Sequence, residues 1–258
     1  SDKPESETTS GKAGTEVTVV LKIGGAALQG HRALSEHKTL SEVGVITYGS
    51  VAESKAKVGR SDLDLTVIFN YEPNQATTAK LAALQCELEK SNPVVSKIDF
   101  DCGLLQQVLH PDNKFSWGYW LKHHCVCVFG EDLSRLFSAF KPSKAIVLAV
   151  NGDFLSVLEE LTARMQGSVD ANKKLLLQRA AARKIIRSTN ILRRETDHDW
   201  PDTLSEHRLK FNARYPALAE DMDYLLAMSN EPQGDIADFK KRIMTFAHWL
   251  NEEFQKQN

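Results

Sequence analysis

The two halves of the chain differ in the period with which hydrophobic and polar residues alternate. Up to about Leu136, short apolar runs typical of buried strands are separated by stretches with helical spacing. From about Pro142 onward, apolar residues recur at three- and four-residue intervals, which is typical of amphipathic helices. The pattern therefore predicts an α+β protein, in which an N-terminal α/β domain with a small mixed sheet precedes a C-terminal helical bundle.

The predicted elements follow the two halves. Strands are predicted over Val43–Tyr48, Leu63–Phe69, Pro93–Cys102 and Cys125–Phe129, with a helix over Gln75–Lys90. Further helices are predicted over Ser143–Met165, Asp170–Glu195, Leu204–Arg214, Pro216–Met228 and Asp235–Phe254. Residues 1–15 are polar and show no periodicity, so we predict a disordered tail there. The domains are then expected at 16–140 and 141–258.

Composition limits the class of protein without naming its chemistry. Against 34 acidic residues the chain carries 32 Lys and Arg, a net charge of −2, and this balance argues against a surface coated for nucleic acid. No apolar run approaches the roughly 18 residues that a membrane span needs. Four cysteines are too few for a disulfide framework, and the N-terminal residues lack the segments of a signal peptide. We therefore expect a cytoplasmic protein that does not bind membranes.

Candidate chemistry first appears in the second predicted strand. Asp62 and Asp64 are two residues apart, so both side chains are expected on one face of that strand. Carboxylates this close repel each other unless a cation lies between them, and hard oxygen ligands suit Mg²⁺. Gly49 and Ser50 follow the preceding strand, at a turn where backbone can approach a phosphate closely.

A further carboxylate is available on the next predicted strand. Asp99 and Asp101 share one face there, opposite Ile98 and Phe100, so the spacing alone does not choose between the two acids. Three carboxylates on neighbouring strands are able to hold two metal ions and to accept a proton from an attacking hydroxyl.

Together these residues resemble the signature of the DNA polymerase β nucleotidyltransferase superfamily. The resemblance rests on Gly49-Ser50, Asp62-Leu-Asp64 in an apolar strand, and an acid on a later strand, within residues 43–103. A helical domain after such a region is similar to aminoglycoside adenylyltransferase-type members. The resemblance implies that Gly49 and Ser50 hold the nucleotide phosphates, that Asp62, Asp64 and Asp99 hold two Mg²⁺ ions, and that Asp101 is the rival third acid.

The first long helix of the second half is strongly basic. Residues 172–194 contain eight Lys and Arg and no acid, and Arg179, Arg183 and Arg187 repeat every four residues along one helix face. Related transferases place basic residues of such helices near the nucleotide, which makes Arg183, Lys184 and Arg187 candidates for binding the triphosphate. A solvated face that pairs with acids elsewhere is an equally good interpretation.

The reaction implied is transfer of AMP from ATP to a hydroxyl, with release of pyrophosphate. A small, aminoglycoside-like acceptor is the first choice, because the later helices carry acids that would attract a cationic substrate. These acids are Asp197, Asp199, Asp202, Glu206, Glu220, Asp221 and Asp223. Transfer to tRNA or to a protein, as in toxin-type members, is the alternative, and a catalytically silent nucleotide-binding module is the third. The sequence fixes neither the oligomeric state nor the base preference.

Two other groups of residues have structural interpretations. Trp117, Trp120 and Leu121 have the spacing of an apolar helix face, which favours core packing over stacking on a ligand ring. Cys125 and Cys127 alternate on a predicted strand next to two histidines, but the spacing fits no common zinc module. We expect both cysteines to be small buried side chains.

Overall fold

A computed structural model describes residues 62–257, together with the strands Glu7–Thr8, Val17–Ile23, Ala26–Arg32 and Glu42–Tyr48. The chain divides into two compact units, Ser1–Phe140 and Lys141–Asn258, which we call the sheet unit and the helical unit. The predicted α+β class, with a small mixed sheet followed by helices, is confirmed. The functions predicted for the two ranges stay predictions.

The described strands of the sheet unit form two sheets. One sheet is antiparallel with the order β1-β2-β3, and the other is mixed with the order β6-β5-β4-β7. The strands are β1 (Glu7–Thr8), β2 (Val17–Ile23), β3 (Ala26–Arg32), β4 (Glu42–Tyr48), β5 (Leu63–Phe69), β6 (Ile98–Leu104) and β7 (Val126–Gly130). Because β1 lies within residues 1–15, the predicted disordered tail contains a paired strand, in which Glu7 lies opposite Val20.

A crossover helix accounts for the parallel pairing of the mixed sheet, that of β5 with the edge strand β6. Helix α1 (Gln75–Ser91) joins β5 to β6, as parallel neighbours require, and Asn74 caps its first turn by accepting a hydrogen bond from the Thr77 amide at 2.9 Å. Leu81 and Leu84 are buried on this helix, and Leu81 packs with the β5 side chains. This βαβ connection sets which residues of the two strands lie side by side.

Short helices complete the sheet unit, and longer ones build the helical unit. In the sheet unit these are α2 (Leu105–Val108), α3 (Tyr119–His124) and single turns at Pro111–Asn113, Lys114–Gly118 and Leu133–Leu136. The helical unit contains α4 (Lys144–Asn151), α5 (Phe154–Gly167), α6 (Ala171–Ser188), α7 (Leu204–Arg214), α8 (Ala219–Asn230) and α9 (Ile236–Lys256), with 3₁₀ turns at Thr189–Leu192 and Pro216–Leu218. Across the part of the chain that the structure covers, none of the helices is long and apolar enough to span a bilayer.

Three predicted boundaries are wrong, each for a local reason. The predicted helix Ser143–Met165 is two helices, which separate at Gly152, where an added Cβ would lie 2.4 Å from the Leu148 carbonyl oxygen. The predicted helix Asp170–Glu195 leaves α geometry at Ser188 and tightens into a 3₁₀ turn. The third strand begins at Ile98 and not at Pro93, because a turn in which the Val95 amide donates to the Asn92 carbonyl comes first.

Candidate functional site

The parallel register of β5 and β6 brings two of the predicted acids together. Asp64 lies opposite Asp99, while Asp101 lies two pairs further along, opposite Thr66. On the other side of β5, Asp64 is paired with Tyr48 of β4. Both strands therefore present a carboxylate at the same level of the sheet.

Asp64 interrupts an otherwise buried strand. The six other residues of β5 are all buried, whereas Asp64 is half-buried. Its main chain is held by the Thr47 hydroxyl, which donates to the Asp64 carbonyl oxygen at 3.0 Å. A charged side chain in such a strand costs solvation free energy, so its place here calls for a compensating partner.

The electrostatics of Asp64 are those of a crowded anion. Partial burial raises the pKa of the Asp64 carboxyl above its ordinary value, and the neighbouring charges of Asp99, Asp62 and Asp101 raise it further, in decreasing order. Among the described residues, the Lys97 ammonium is the group that opposes them. The carboxylate of Asp64 would therefore gain from a cation close to it.

Two hydrogen bonds fix the neighbouring acids. Asp62 precedes the first residue of β5, and its Oδ1 accepts a hydrogen bond from the Ser96 hydroxyl at 2.6 Å. The Lys97 ammonium lies 2.6 Å from Oδ1 of Asp99 and 2.9 Å from its Oδ2. Because of this bond, the pKa of Lys97 is raised. Ser96 and Lys97 were not predicted, although the two-residue spacing of Lys97 and Asp99 places both on one face of an extended chain.

The carboxylates fit a hard divalent cation in chemistry and charge. Among the described residues, no group of three or more His, Cys, Asp or Glu side chains is already arranged as a metal site. Mg²⁺, however, is commonly bound by one or two carboxylates and completed by substrate phosphates and water. The pair Asp64 and Asp99, with Asp62 nearby and one lysine as counter-charge, matches that requirement.

The other predicted nucleotide-binding residues have different outcomes. Gly49 and Ser50 lie outside the described residues. Arg183 is half-buried and its Nε donates to the Ser229 carbonyl at 3.2 Å, whereas Arg187 is exposed. Burial lowers the pKa of Arg183, and the positive charges of Arg179 and Arg187 add to that effect. These three arginines form a cationic ridge on α6.

Lys184 is engaged inside the helical unit. Its ammonium forms an ion pair with Asp153 at 2.7 Å and donates to the Val150 carbonyl at 3.2 Å. It thereby ties α6 to the turn between α4 and α5. Its contacts are those of a bracing residue, so we do not carry Lys184 into the proposed site.

Most of the acids expected to attract a cationic substrate have cationic or capping partners. Asp197 and Asp199 both pair with Lys210, at 3.5 and 2.9 Å. Asp221 pairs with Arg242, Asp223 with Arg208, and Glu206 completes a capping box with Thr203 at the start of α7. These contacts remove much of the negative charge on which the expectation of an amino-sugar acceptor depended.

The aromatic and cysteine groups pack against the core, although Cys125 and Cys127, expected to be buried, are half-buried. The rings of Trp117 and Trp120 pack edge to face at 5.4 Å, with Leu121 buried beside them. Burial raises the pKa of the Cys125 thiol far above its ordinary value, which disfavours the thiolate that zinc requires. His123 accepts a hydrogen bond from the Phe140 amide, and His124 bonds to the Tyr119 hydroxyl.

Comparison with known proteins gives a likeness of fold. No protein-family model matches the sequence, and no curated protein matches it. Among solved structures, the chain is similar to the spectinomycin adenyltransferase AAD(9) from Enterococcus faecialis, solved with ATP and spectinomycin. The identity is 15% and the TM-score 0.49, over 84% of this chain and 92% of the other.

Proposed function

We propose that this protein is a Mg²⁺-dependent nucleotidyltransferase that transfers AMP from ATP to a hydroxyl of a small acceptor. The observation that carries the proposal is the pairing of Asp64 with Asp99 across β5 and β6, where repulsion between carboxylates raises the pKa of Asp64. Repulsion between carboxylates destabilises the folded chain, and such repulsion is typical of a site whose ligand supplies the opposite charge.

In the proposed reaction the hydroxyl oxygen of the acceptor attacks the α-phosphorus of ATP. The bond between that phosphorus and the α–β bridging oxygen breaks, and pyrophosphate leaves with the bonding electrons. Asp99 accepts the hydroxyl proton, and Lys97 holds the Asp99 carboxylate in position through its two contacts. Asp62, Asp64 and Asp99 would hold Mg²⁺, which supplies neutralisation of phosphate charge and activation of the hydroxyl.

Asp99 is our assignment for the third acid. It lies beside Asp64 and contributes more than Asp101 to the raised pKa of Asp64. Arg183 and Arg187 are assigned to the triphosphate, because guanidinium groups match phosphate geometry and these two belong to the cationic ridge. Gly49 and Ser50 keep the phosphate-binding role that the sequence resemblance implies.

The acceptor is assigned only as a small hydroxylated molecule. An amino sugar was favoured by the acids of the helical unit, but Asp197, Asp199, Asp221 and Asp223 are paired with cations. The experiment therefore offers the full chain ATP labelled in the α-phosphate with Mg²⁺, and three acceptor pools: an aminoglycoside panel with a small-metabolite extract, total RNA, and total protein. We expect label on small molecules with equimolar release of pyrophosphate.

The controls separate the alternatives. Asp64→Asn is expected to lower transfer by about 10³-fold or more, since one ligand and its charge are lost. Asp112→Asn removes an equally charged but exposed side chain of the same unit and should leave transfer unchanged. If label appears on RNA or protein alone, the acceptor is a macromolecule and the proposal of a small acceptor is wrong. ATP binding without pyrophosphate release in any pool would identify a silent nucleotide-binding module.

A further inference from the structure

The helical unit contains a cavity of about 320 Å³ that the proposed reaction does not use. It lies between the 3₁₀ turn Thr189–Leu192, the segment that follows it, and helix α7. Its volume falls in the range of small-molecule sites, about 300–1,000 Å³. All the residues that line it belong to the helical unit, so it is a feature of that unit alone.

The lining of this cavity is strongly cationic. Arg193, Arg194, Lys210 and Arg214 line it, against the single carboxylate of Asp197. Lys210 already shares its charge between Asp197 and Asp199. The side chain of Arg194 is exposed, and the described residues give it no ion pair. A surplus of positive charge therefore surrounds the cavity.

Arg193 supplies the most specific observation. The residue is 2% exposed, and its Nη2 donates to the carbonyl oxygens of Asp197 at 2.7 Å and Asp199 at 3.1 Å. Its Nε and Nη1 are buried and have no hydrogen-bond partner among the described residues. The guanidinium lies over the Trp200 ring, 5.1 Å from its centroid, but a buried guanidinium with incomplete hydrogen bonding is costly and usually marks a missing partner.

The remaining walls suit a compact molecule rather than a free ion. Phe211 and Leu192 offer an apolar surface, while the buried side-chain oxygen of Asn190 has no donor among the described residues. His207 also lines the cavity, and burial lowers its pKa to about 4, with the charge of Arg187 adding to the effect. At neutral pH its ring is therefore uncharged and adds no further repulsion between cations.

We propose that this cavity is a binding site for a small phosphate-bearing molecule, held by Arg193, Arg194, Lys210 and Arg214. The phosphate would balance the surplus positive charge, and Arg and Lys are the side chains that bind phosphate best. The inference concerns residues other than the sheet carboxylates, so it stands or falls separately from the proposed nucleotidyl transfer.

The test uses the full chain with Asp64→Asn, without divalent metal, so that binding at the sheet carboxylates does not interfere. The protein is labelled with ¹⁵N-arginine, and the Nε–Hε resonance of Arg193 is followed while inorganic phosphate or glycerol 3-phosphate is added. We expect saturable shifts of the Arg193 and Arg214 resonances with both phosphate probes. Glycerol, which has the carbon skeleton but no charge, should give none.

Two variants and a matched control make the result specific to the cavity. Arg194→Gln and Lys210→Gln each remove one cation from the cavity and should weaken phosphate binding about tenfold. Lys173→Gln removes the same charge from an exposed position on α6 outside the cavity and should change the affinity less than twofold. Absence of a saturable shift, or equal affinity in both cavity variants and the parent, would overturn the proposal.

Discussion

The sheet unit and the helical unit differ in how their acidic side chains are neutralised. In the sheet unit, Asp64 is crowded by other carboxylates with one lysine nearby, and its pKa is raised by burial and by those charges. In the helical unit, acids such as Asp197, Asp199 and Asp223 are paired with cations. The surplus charge there is positive, and burial together with neighbouring arginines lowers the pKa of Arg183.

This difference indicates ligands of opposite charge in the two units. Like charges held close together destabilise the folded chain, and the free energy is recovered when a ligand of opposite sign binds. A divalent cation meets that condition at Asp64 and Asp99, and a phosphate meets it around Arg193 or along the α6 ridge. Ion pairs such as that of Lys184 with Asp153 leave no unbalanced charge, and they stabilise the fold.

The sharpest test of the sheet unit compares its two candidate third acids. Asp99→Asn is expected to lower the transfer rate about 100-fold, because Asp99 lies beside Asp64 and is assigned the proton and a metal contact. Asp101→Asn, two pairs further along, should lower the rate less than about threefold. Steady-state pyrophosphate release with fixed ATP and acceptor measures both. If Asp101→Asn is the more damaging variant, the assignment from strand register is wrong.

We expect the stability of the helical unit to fall at low pH because His207 becomes protonated. The pKa of His207 in the folded chain is about 4 against an ordinary value of 6.5, so the folded state favours the neutral ring. The resulting stability is complete above pH 6.5 and is lost as the pH falls toward 4, by about 3 kcal/mol over that range. Native-state hydrogen exchange of α6 amides between pH 7 and 4 measures this loss locally.

The matched variant for this effect is His207→Gln, which cannot take up the proton. Its free energy of opening at α6 should fall much less between pH 6.5 and 4 than that of the parent chain. An equal fall in both proteins would assign the acid sensitivity to other groups. His198 is exposed, so His198→Gln should leave the pH dependence of the parent intact.

Variants of two adjacent cations of α6 should distinguish a role in ligand binding from a role in stabilising the helical unit. Arg183→Gln is expected to weaken ATP binding about tenfold, because it removes a charge-assisted phosphate contact, and to lower the melting temperature by about 1–3 °C, because the bond to the Ser229 carbonyl is lost. Lys184→Gln should lower the melting temperature by about 1–3 °C, because the contacts with Asp153 and Val150 are lost, and leave ATP affinity within twofold. Calorimetric titration and thermal unfolding measure the two effects, and the reverse pattern would return Lys184 to the nucleotide site.

The smallest expected effect is a gain in stability from Asp64→Asn. Because the pKa of Asp64 is raised in the folded chain, its contribution to stability is full below its ordinary pKa and is lost as the pH rises through the raised value. At pH 7.5 the Asn variant should therefore melt slightly higher, by about 1 °C, since solvent screens a half-buried group. Near pH 3 the difference should vanish, and added Mg²⁺ should stabilise only the parent.

Several elements could be read from the sequence because the signals lie close together along the chain. The strand Leu63–Phe69 and the helix Leu204–Arg214 were predicted with their observed limits, since an apolar run and helical apolar spacing are local patterns. The breaks at Gly152 and Ser188 were not predicted, because the apolar spacing continues through both points. The acids Asp62, Asp64 and Asp99 were found from residue type, spacing and order.

What the sequence by itself determined was therefore the class of fold, most of the elements, and a set of candidate acids on two strands. Only the tertiary structure decided that Asp99, not Asp101, lies beside Asp64, because strand register depends on backbone hydrogen bonds between segments far apart in the chain. It also decided that Lys210 pairs with Asp197 and Asp199 and that two nitrogens of Arg193 have no hydrogen-bond partner among the described residues. The net charge counts every charged side chain equally. The electrostatic energy of each side chain depends on its distance from other charges and on its burial, and folding sets both.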